Sequence, residues 1–243
     1  MVTKRLILPC AFSCLLLASA AAAEDRSPAP DISAISQSQI EDLQQGTALG
    51  AAEMGRARPI SLIGLELIKA AEGWRNTAYN DPSGYCTIGY GHLIALQSCE
   101  ALDLQKLGFA GIMSLDVGGM LLSQDTTSAR IAVSKLTQVD INEDQFGALV
   151  SFAFNVGKTN LQKSTLLKLV NLGAFDRIPK EFLRWSSSNG KILPGLLKRR
   201  SCEGELFMSA LHLTTSKRVE MESCSVLGIA ADIANPIDVT LGE

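Results

Sequence analysis

A helical period that stops at Gly73 and gives way at once to a tight turn limits this chain more than any other feature. Ser61 can cap a helix in which Leu62, Ile63, Leu67 and Ala70 or Ala71 recur at helical spacing. Gly73 stands where a left-handed residue would end it, which leaves Glu72 on the last turn. The chain continues Thr77-Ala78-Tyr79-Asn80, then Asp81-Pro82-Ser83-Gly84, then Tyr85-Cys86-Thr87-Ile88-Gly89-Tyr90-Gly91. Asp first, Pro second and Gly fourth is the composition of a type I turn, and the flanking residues predict a small β-hairpin. The fold therefore has to hold a hairpin against the end of a helix.

Beyond His92 the signals are helical. Asp116 to about Ser123 and Asp125 to Leu136 read as helices, and Asn142 with Gln145 offers a capping box for the next one. That helix carries Phe146, Leu149, Val150, Ala153 and Phe154, the spacing of a broad buried face. Further helices fit Ser164 to Asn171, ended by Gly173, and Gly195 to about Leu211, with a polar turn at Ser186 to Gly190. The fold class is α+β, mostly helical, with one small antiparallel sheet lobe.

Cutting a glycosidic bond usually takes two carboxyl groups, one to protonate the leaving oxygen and one to serve water or act as nucleophile. Glu72 sits at a helix C-terminus, where the negative end of the helix dipole disfavours an ionised carboxylate and suits a general acid. Asp81, at the mouth of the turn, can be kept ionised by backbone amides and water and suits a base. Thr87 lies on the returning strand, roughly 7 Å along from the turn, where its hydroxyl could share a water with Asp81. Singly, each has an ordinary structural reading: a solvated helix end, a turn former, a strand residue. Only the combination points to catalysis.

The stretch EGWRNTAYNDPSGYCTIGYGH, Glu72 to His92, resembles the catalytic segment of phage-type lysozymes and endolysins, glycoside hydrolase family 24. The pattern of that family is Glu, eight residues, Asp or Cys, five residues, Thr, and it is present here without a gap. Asp144-Gln145-Phe146 through Phe154-Asn155-Val156-Gly157, and Phe182-Leu183-Arg184-Trp185 through Leu193-Pro194-Gly195-Leu196, are similar to the family as well. The resemblance implies a lysozyme-like fold with the glycan between a sheet lobe and a helical lobe. It implies hydrolysis of the β-1,4 bond from N-acetylmuramic acid to N-acetylglucosamine in peptidoglycan. Glu72 would be the acid, Asp81 the residue activating water and Thr87 its helper, with no metal or organic cofactor. Many relatives invert, which requires carboxyl groups about 6.5 to 9.5 Å apart. The alternative from another class is a non-catalytic protein of the same fold that binds peptidoglycan in the cell envelope.

Residues 1–23 have a basic start at Lys4 and Arg5, an apolar run from Leu6 and small residues before Glu24, the layout of a signal peptide cleaved after Ala23. Export to the periplasm or beyond follows. Left uncleaved, the segment could act as a transient, releasable membrane anchor. Residues 24–59 read as a flexible linker, 60–211 as the catalytic domain and 212–243 as a tail of open structure. Cleavage removes Lys4, Arg5 and no acid, so 20 Lys and Arg face 25 Asp and Glu, a net charge of −5. That argues against a nucleic-acid partner. Residues 60–210 carry 15 basic and 14 acidic side chains, so the acidity sits in the ends. A monomer is expected.

Cleavage leaves Cys86, Cys99, Cys202 and Cys224, and loop length favours Cys86 with Cys99 and Cys202 with Cys224, free buried thiols being the alternative. With no CxxC pair and two histidines, a zinc site has little support. Lys198-Arg199-Arg200 reads as a solvated helix face, or else as contacts to peptide-stem carboxylates or an ion pair to Glu72. His92 reads as structural, and Trp74 and Trp185 as packing residues rather than sugar platforms.

Overall fold

The computed structural model describes residues 57–225, 233 and 235–243. The expected signal peptide (1–23), the expected linker (24–59) up to residue 56, and most of the apolar stretch 226–234 lie outside the described residues.

Ser61 caps α1 (Leu62–Glu72), its hydroxyl accepting the Gly64 amide at 3.3 Å, and Gly73 ends the helix at φ 73°. Three short strands follow, β1 (Arg75–Asn80), β2 (Cys86–Gly89) and β3 (His92–Ala95), in one antiparallel sheet of order β1-β2-β3. The Gly84 amide donates to the Asp81 carbonyl at 2.9 Å, closing the turn expected from Asp-Pro-Ser-Gly. β3 corrects the expectation that everything beyond His92 is helical. His-Leu-Ile-Ala is a short apolar run that periodicity cannot assign, and pairing with β2, Thr87 opposite Leu93, decides it.

The helical part comprises α2 (Leu104–Leu107), α3 (Leu115–Asp125), α4 (Thr127–Leu136), α5 (Glu143–Val156), α6 (Lys158–Lys163), α7 (Thr165–Asn171), α8 (Ile178–Arg184) and α9 (Pro194–Phe207). Asp125 closes α3 rather than opening α4; the chain breaks at Thr126, whose hydroxyl donates back to the Ser123 carbonyl. Both halves of the Asn142–Gln145 capping box form, at 2.8 and 3.0 Å.

α5 is the spine of the core. It is buried from Phe146 to Ala153, and α1, α4 and α9 pack around it. The crossing with α1 is close because glycines face each other: a methyl group on Gly64 would stand 3.0 Å from the Cα of Gly147. That approach seats α1 directly on α5, and Glu72 closes the same helix at Gly73. Phe152 meets Phe182 and Trp185 edge-on, with ring centroids 5.5 and 5.2 Å apart, in the centre of the core.

α9 stops at Phe207, short of the expected Leu211, because Met208 leaves the helical conformation and Ser209 turns left-handed at φ 54°. Ser186 to Gly190 is more than a turn. β4 (Ser187–Ser188) and β5 (Lys191–Ile192) pair across Asn189 and Gly190, both at positive φ as a tight hairpin requires. The described tail residues belong to this body: Val219, Cys224 and Ile237 are core residues, and Asp238 bridges Ser187 in parallel. Both disulfides favoured by loop length form, Cys86–Cys99 and Cys202–Cys224.

Candidate active site

The residues singled out in the sequence arrive on three local devices. α1 delivers Glu72 at its C-terminus, the turn delivers Asp81, and the middle strand of the sheet delivers Thr87. Thr87 stands opposite Tyr79 in the β1–β2 ladder, so both side chains belong to one face of the hairpin, while Asn80 and Cys86 share the other.

Asp81 and Thr87 are tied together through the backbone of Tyr85, which sequence reasoning missed. Asp81 Oδ1 accepts the amides of Ser83 at 2.9 Å and Tyr85 at 2.8 Å. The Tyr85 carbonyl in turn accepts the Asp81 amide at 2.9 Å and the Thr87 hydroxyl at 3.1 Å. Oδ1 is thus occupied, which leaves Oδ2 as the other acceptor of this carboxylate. The Thr87 proton is likewise committed, leaving its oxygen as an acceptor.

Glu72 is not simply a solvated helix end. Its Oε1 accepts from Arg199 Nη1 at 2.6 Å, and the side chain is only 14% exposed. A methyl group on Gly91 would come within 4.0 Å of Glu72 Oε2, so the second oxygen faces the β2–β3 turn. Tyr79 feels both carboxyl groups: burial pushes its phenol up, Arg75 pulls it down, and the charges of Asp81 and Glu72 add to the rise. The Arg75 guanidinium lies 4.6 Å from the Tyr79 ring centroid.

The basic run on α9 divides. Lys198 reaches Glu222 at the surface, whereas Arg199 and Arg200 are buried, which corrects the reading of a solvated face for those two. Arg199 makes the ion pair to Glu72 that was one of the readings open for this run. Its Nε also reaches Glu203 Oε1 at 3.2 Å and its Nη2 the Ser151 carbonyl at 3.0 Å. Burial would push the Arg199 guanidinium down, but Glu72 and Glu203 together hold it above its ordinary value. Arg200 pairs with Glu203 and Asn155 and gives Nε to the Trp185 carbonyl at 3.0 Å; burial outweighs Glu203 there and pushes it down. Glu203 and Ser151 went unnoticed in the sequence.

His92 ties β3 to α3 through Asp125, at 3.0 Å to both carboxylate oxygens, consistent with a structural role. Trp74 packs on Tyr90, centroids 4.7 Å apart, and against Gly118 of α3; Trp185 is fully buried. Among the described residues no group of three or more His, Cys, Asp or Glu is placed to hold a metal.

The sequence signature of phage lysozymes matches residues 69–203, from the last turns of α1 to Glu203 on α9. The chain belongs to the phage lysozyme family. Within it, the chain is 40% identical over 167 residues to an endolysin of Bacillus phage B103, a match spanning 68% of this chain and 58% of that protein. It is 36% identical over 155 residues to an endolysin of Acyrthosiphon pisum secondary endosymbiont phage 1, over 62% of this chain and 99% of that one. Among solved structures, the muramidase domain of SpmX from Asticaccaulis excentricus superposes with a TM-score of 0.53 at 32% identity, covering 62% of this chain and 99% of that domain. The matched region of this phage lysozyme relative therefore holds all three devices together with the Arg199 contact.

Proposed function

We propose that this protein is a muramidase that hydrolyses the β-1,4 bond between N-acetylmuramic acid and N-acetylglucosamine in bacterial peptidoglycan. The observation that carries the proposal is the placing of two differently held carboxyl groups, Glu72 at the end of α1 and Asp81 at the turn that follows β1. Glu72 is shielded and held by one guanidinium, and Asp81 is fixed at the turn by two backbone amides on Oδ1. Family membership and the names of the relatives, endolysins and a muramidase domain, point to the same substrate class.

In this reading Glu72 gives its proton to the glycosidic oxygen as the bond to the anomeric carbon breaks. A water held by Asp81 Oδ2 and the Thr87 oxygen adds to that carbon, and its proton passes to Asp81. Proton exchange with solvent then restores both groups. Arg199 holds the Glu72 carboxyl in place through the 2.6 Å contact to Oε1.

The test is turbidity clearing of purified peptidoglycan by the protein and by Glu72→Gln, with released reducing ends counted. We expect at least about a 100-fold loss of rate in the variant. Equal clearing by both would remove Glu72 from the role of acid, and binding of intact glycan without new reducing ends would favour a non-catalytic envelope protein.

The N-terminal residues 1–23 complete the proposal as an export signal, which would bring the enzyme to its substrate in the periplasm or outside the cell. Mass spectrometry of the exported protein checks this: a chain beginning at Glu24 is expected, and an intact Met1 or Val2 start would point instead to a membrane anchor.

A further inference from the structure

Behind Glu72 the structure buries a row of alternating charges that hydrolysis itself does not call for. Glu72 meets Arg199, Arg199 meets Glu203, and Glu203 meets Arg200. The Glu203 and Arg200 side chains are 0% exposed and that of Arg199 is 5% exposed. Buried ions are costly and are tolerated only when every arm finds a partner. Here they do. Glu203 Oε1 accepts from Ser151 Oγ at 2.7 Å and Arg199 Nε at 3.2 Å, and Oε2 from Arg200 Nη1. Arg199 spends its remaining arms on the Ser151 carbonyl and Glu72, and Arg200 on Asn155 and the Trp185 carbonyl.

We infer that Glu203 is a positioning residue for Glu72: its buried carboxylate fixes the Arg199 guanidinium and takes up part of its charge, so that Glu72 can hold the proton it must deliver. The inference rests on the reading of Glu72 as the acid.

The charge count shows why. With Glu72 ionised, two cations and two anions cancel; with Glu72 protonated, one positive charge remains. Were Glu203 neutral, the same two states would carry one and two positive charges in a buried site, and the protonated state would be penalised further. Geometry adds to this. Arg199 holds Glu203 through Nε and Glu72 through Nη1, on different arms of one planar fork, so anchoring the first aims the second.

The other groups facing the row are accounted for. From α5, Ser151 and Asn155 face Glu203 and Arg200, both uncharged. From β1 and its turn, Tyr79 and Asp81 share the field of Glu72. On α8, Glu181 pairs with Arg184, and within the Met221–Ser223 turn Glu222 takes Lys198.

The test follows the carbon-13 signal of the Glu72 carboxyl through a pH titration, assigned with Glu72→Gln, in the parent protein, Glu203→Gln, Glu203→Asp and Arg200→Gln. Peptidoglycan clearing is recorded against pH in parallel. In Glu203→Gln the Glu72 transition and the alkaline limb of clearing move together to lower pH. At the pH where the parent retains half its maximal rate, this variant clears about fivefold more slowly. Glu203→Asp, which keeps the charge, moves both back towards the parent. Arg200→Gln removes a cation instead and moves both the opposite way. A Glu72 transition that stays put in folded Glu203→Gln, or that shifts in the same direction in Glu203→Gln and Arg200→Gln, overturns the inference. If Glu203→Gln does not fold, judged by near-ultraviolet circular dichroism, Arg200→Gln decides alone, and no upward shift sinks the idea. Should Glu72→Gln clear peptidoglycan like the parent, the acid assignment falls, while the Glu72 titration still reports whether Glu203 governs its proton.

Discussion

At the scale of single residues, the site depends on side chains that leave no room for others. Trp74 packs against Gly118 of α3, and a Cβ there would stand 2.2 Å from its Cζ3 and 2.6 Å from its Cη2. The ring is rigid and already pressed on Tyr90, so it cannot step aside. Gly118→Ala is therefore expected to destabilise the fold by about 1–3 kcal/mol, read as a lower urea midpoint with an unchanged slope. An unchanged midpoint would mean that α3 shifts freely against the sheet. Arg199 is the opposite case, a residue defined by what it holds: three arms on three partners, a pattern lysine cannot copy. Glu72 and Asp81 were legible in the sequence because a helix end and a tight turn are local events. Glu203 was not, since an Arg-Arg-x-x-Glu spacing on a helix reads the same whether the face is solvated or buried.

Among the elements, the hairpin is held from outside as well as from within. Cys86–Cys99 joins β2 to the 3-10 turn Cys99–Ala101, and the Asn80 side chain binds the Cys99 amide at 2.7 Å and the Glu100 carboxylate at 2.9 Å. The strand bearing Thr87 and the turn bearing Asp81 are thus pinned on the face away from Tyr79. A cross-link closing so short a loop contributes about 2–3 kcal/mol in the chain-entropy account. The β4–β5 hairpin is held by the tail instead. The Asp238 carboxylate accepts the Gly190 amide at 2.9 Å and the Thr240 hydroxyl at 2.6 Å. Burial opposes the ionised form of Asp238, but the Thr240 hydroxyl and the amides of Gly190, Thr240 and Asn189 outweigh it and hold the carboxyl below its ordinary value. The folded state thus binds this proton less readily than the unfolded one. The stability from Asp238 is present above the ordinary carboxylate range and is lost as pH falls through it and below. Asp238→Asn is expected to lower the melting temperature at neutral pH and to match the parent near pH 2; a constant gap at both would refute the assignment. The elements the sequence reading missed are the short ones. α6 and α8 are shorter than two full turns of periodicity, and β3 and β4 pair only because partners lie beside them.

Over the whole molecule, charge and cross-links are distributed unevenly. Residues 60–210 are close to neutral, and the acidic excess lies towards the ends, so broad electrostatic attraction to an anionic wall has no basis in the catalytic part. Both disulfides are local, spanning 13 and 22 residues, and neither joins the sheet to the helices. That union rests on α3 packing against β2 and β3 and on His92–Asp125, while α1 and α9 are joined to each other by Glu72–Arg199. The last of these links positions 127 residues apart. It has a consequence in time. A ribosome making this chain releases Glu72, Asp81 and Thr87 early, yet the cation that sets the first of them is synthesised near the end, on a helix that must still dock. A nascent polypeptide cut short before α9 therefore lacks the guanidinium that holds the Glu72 carboxyl in the folded protein.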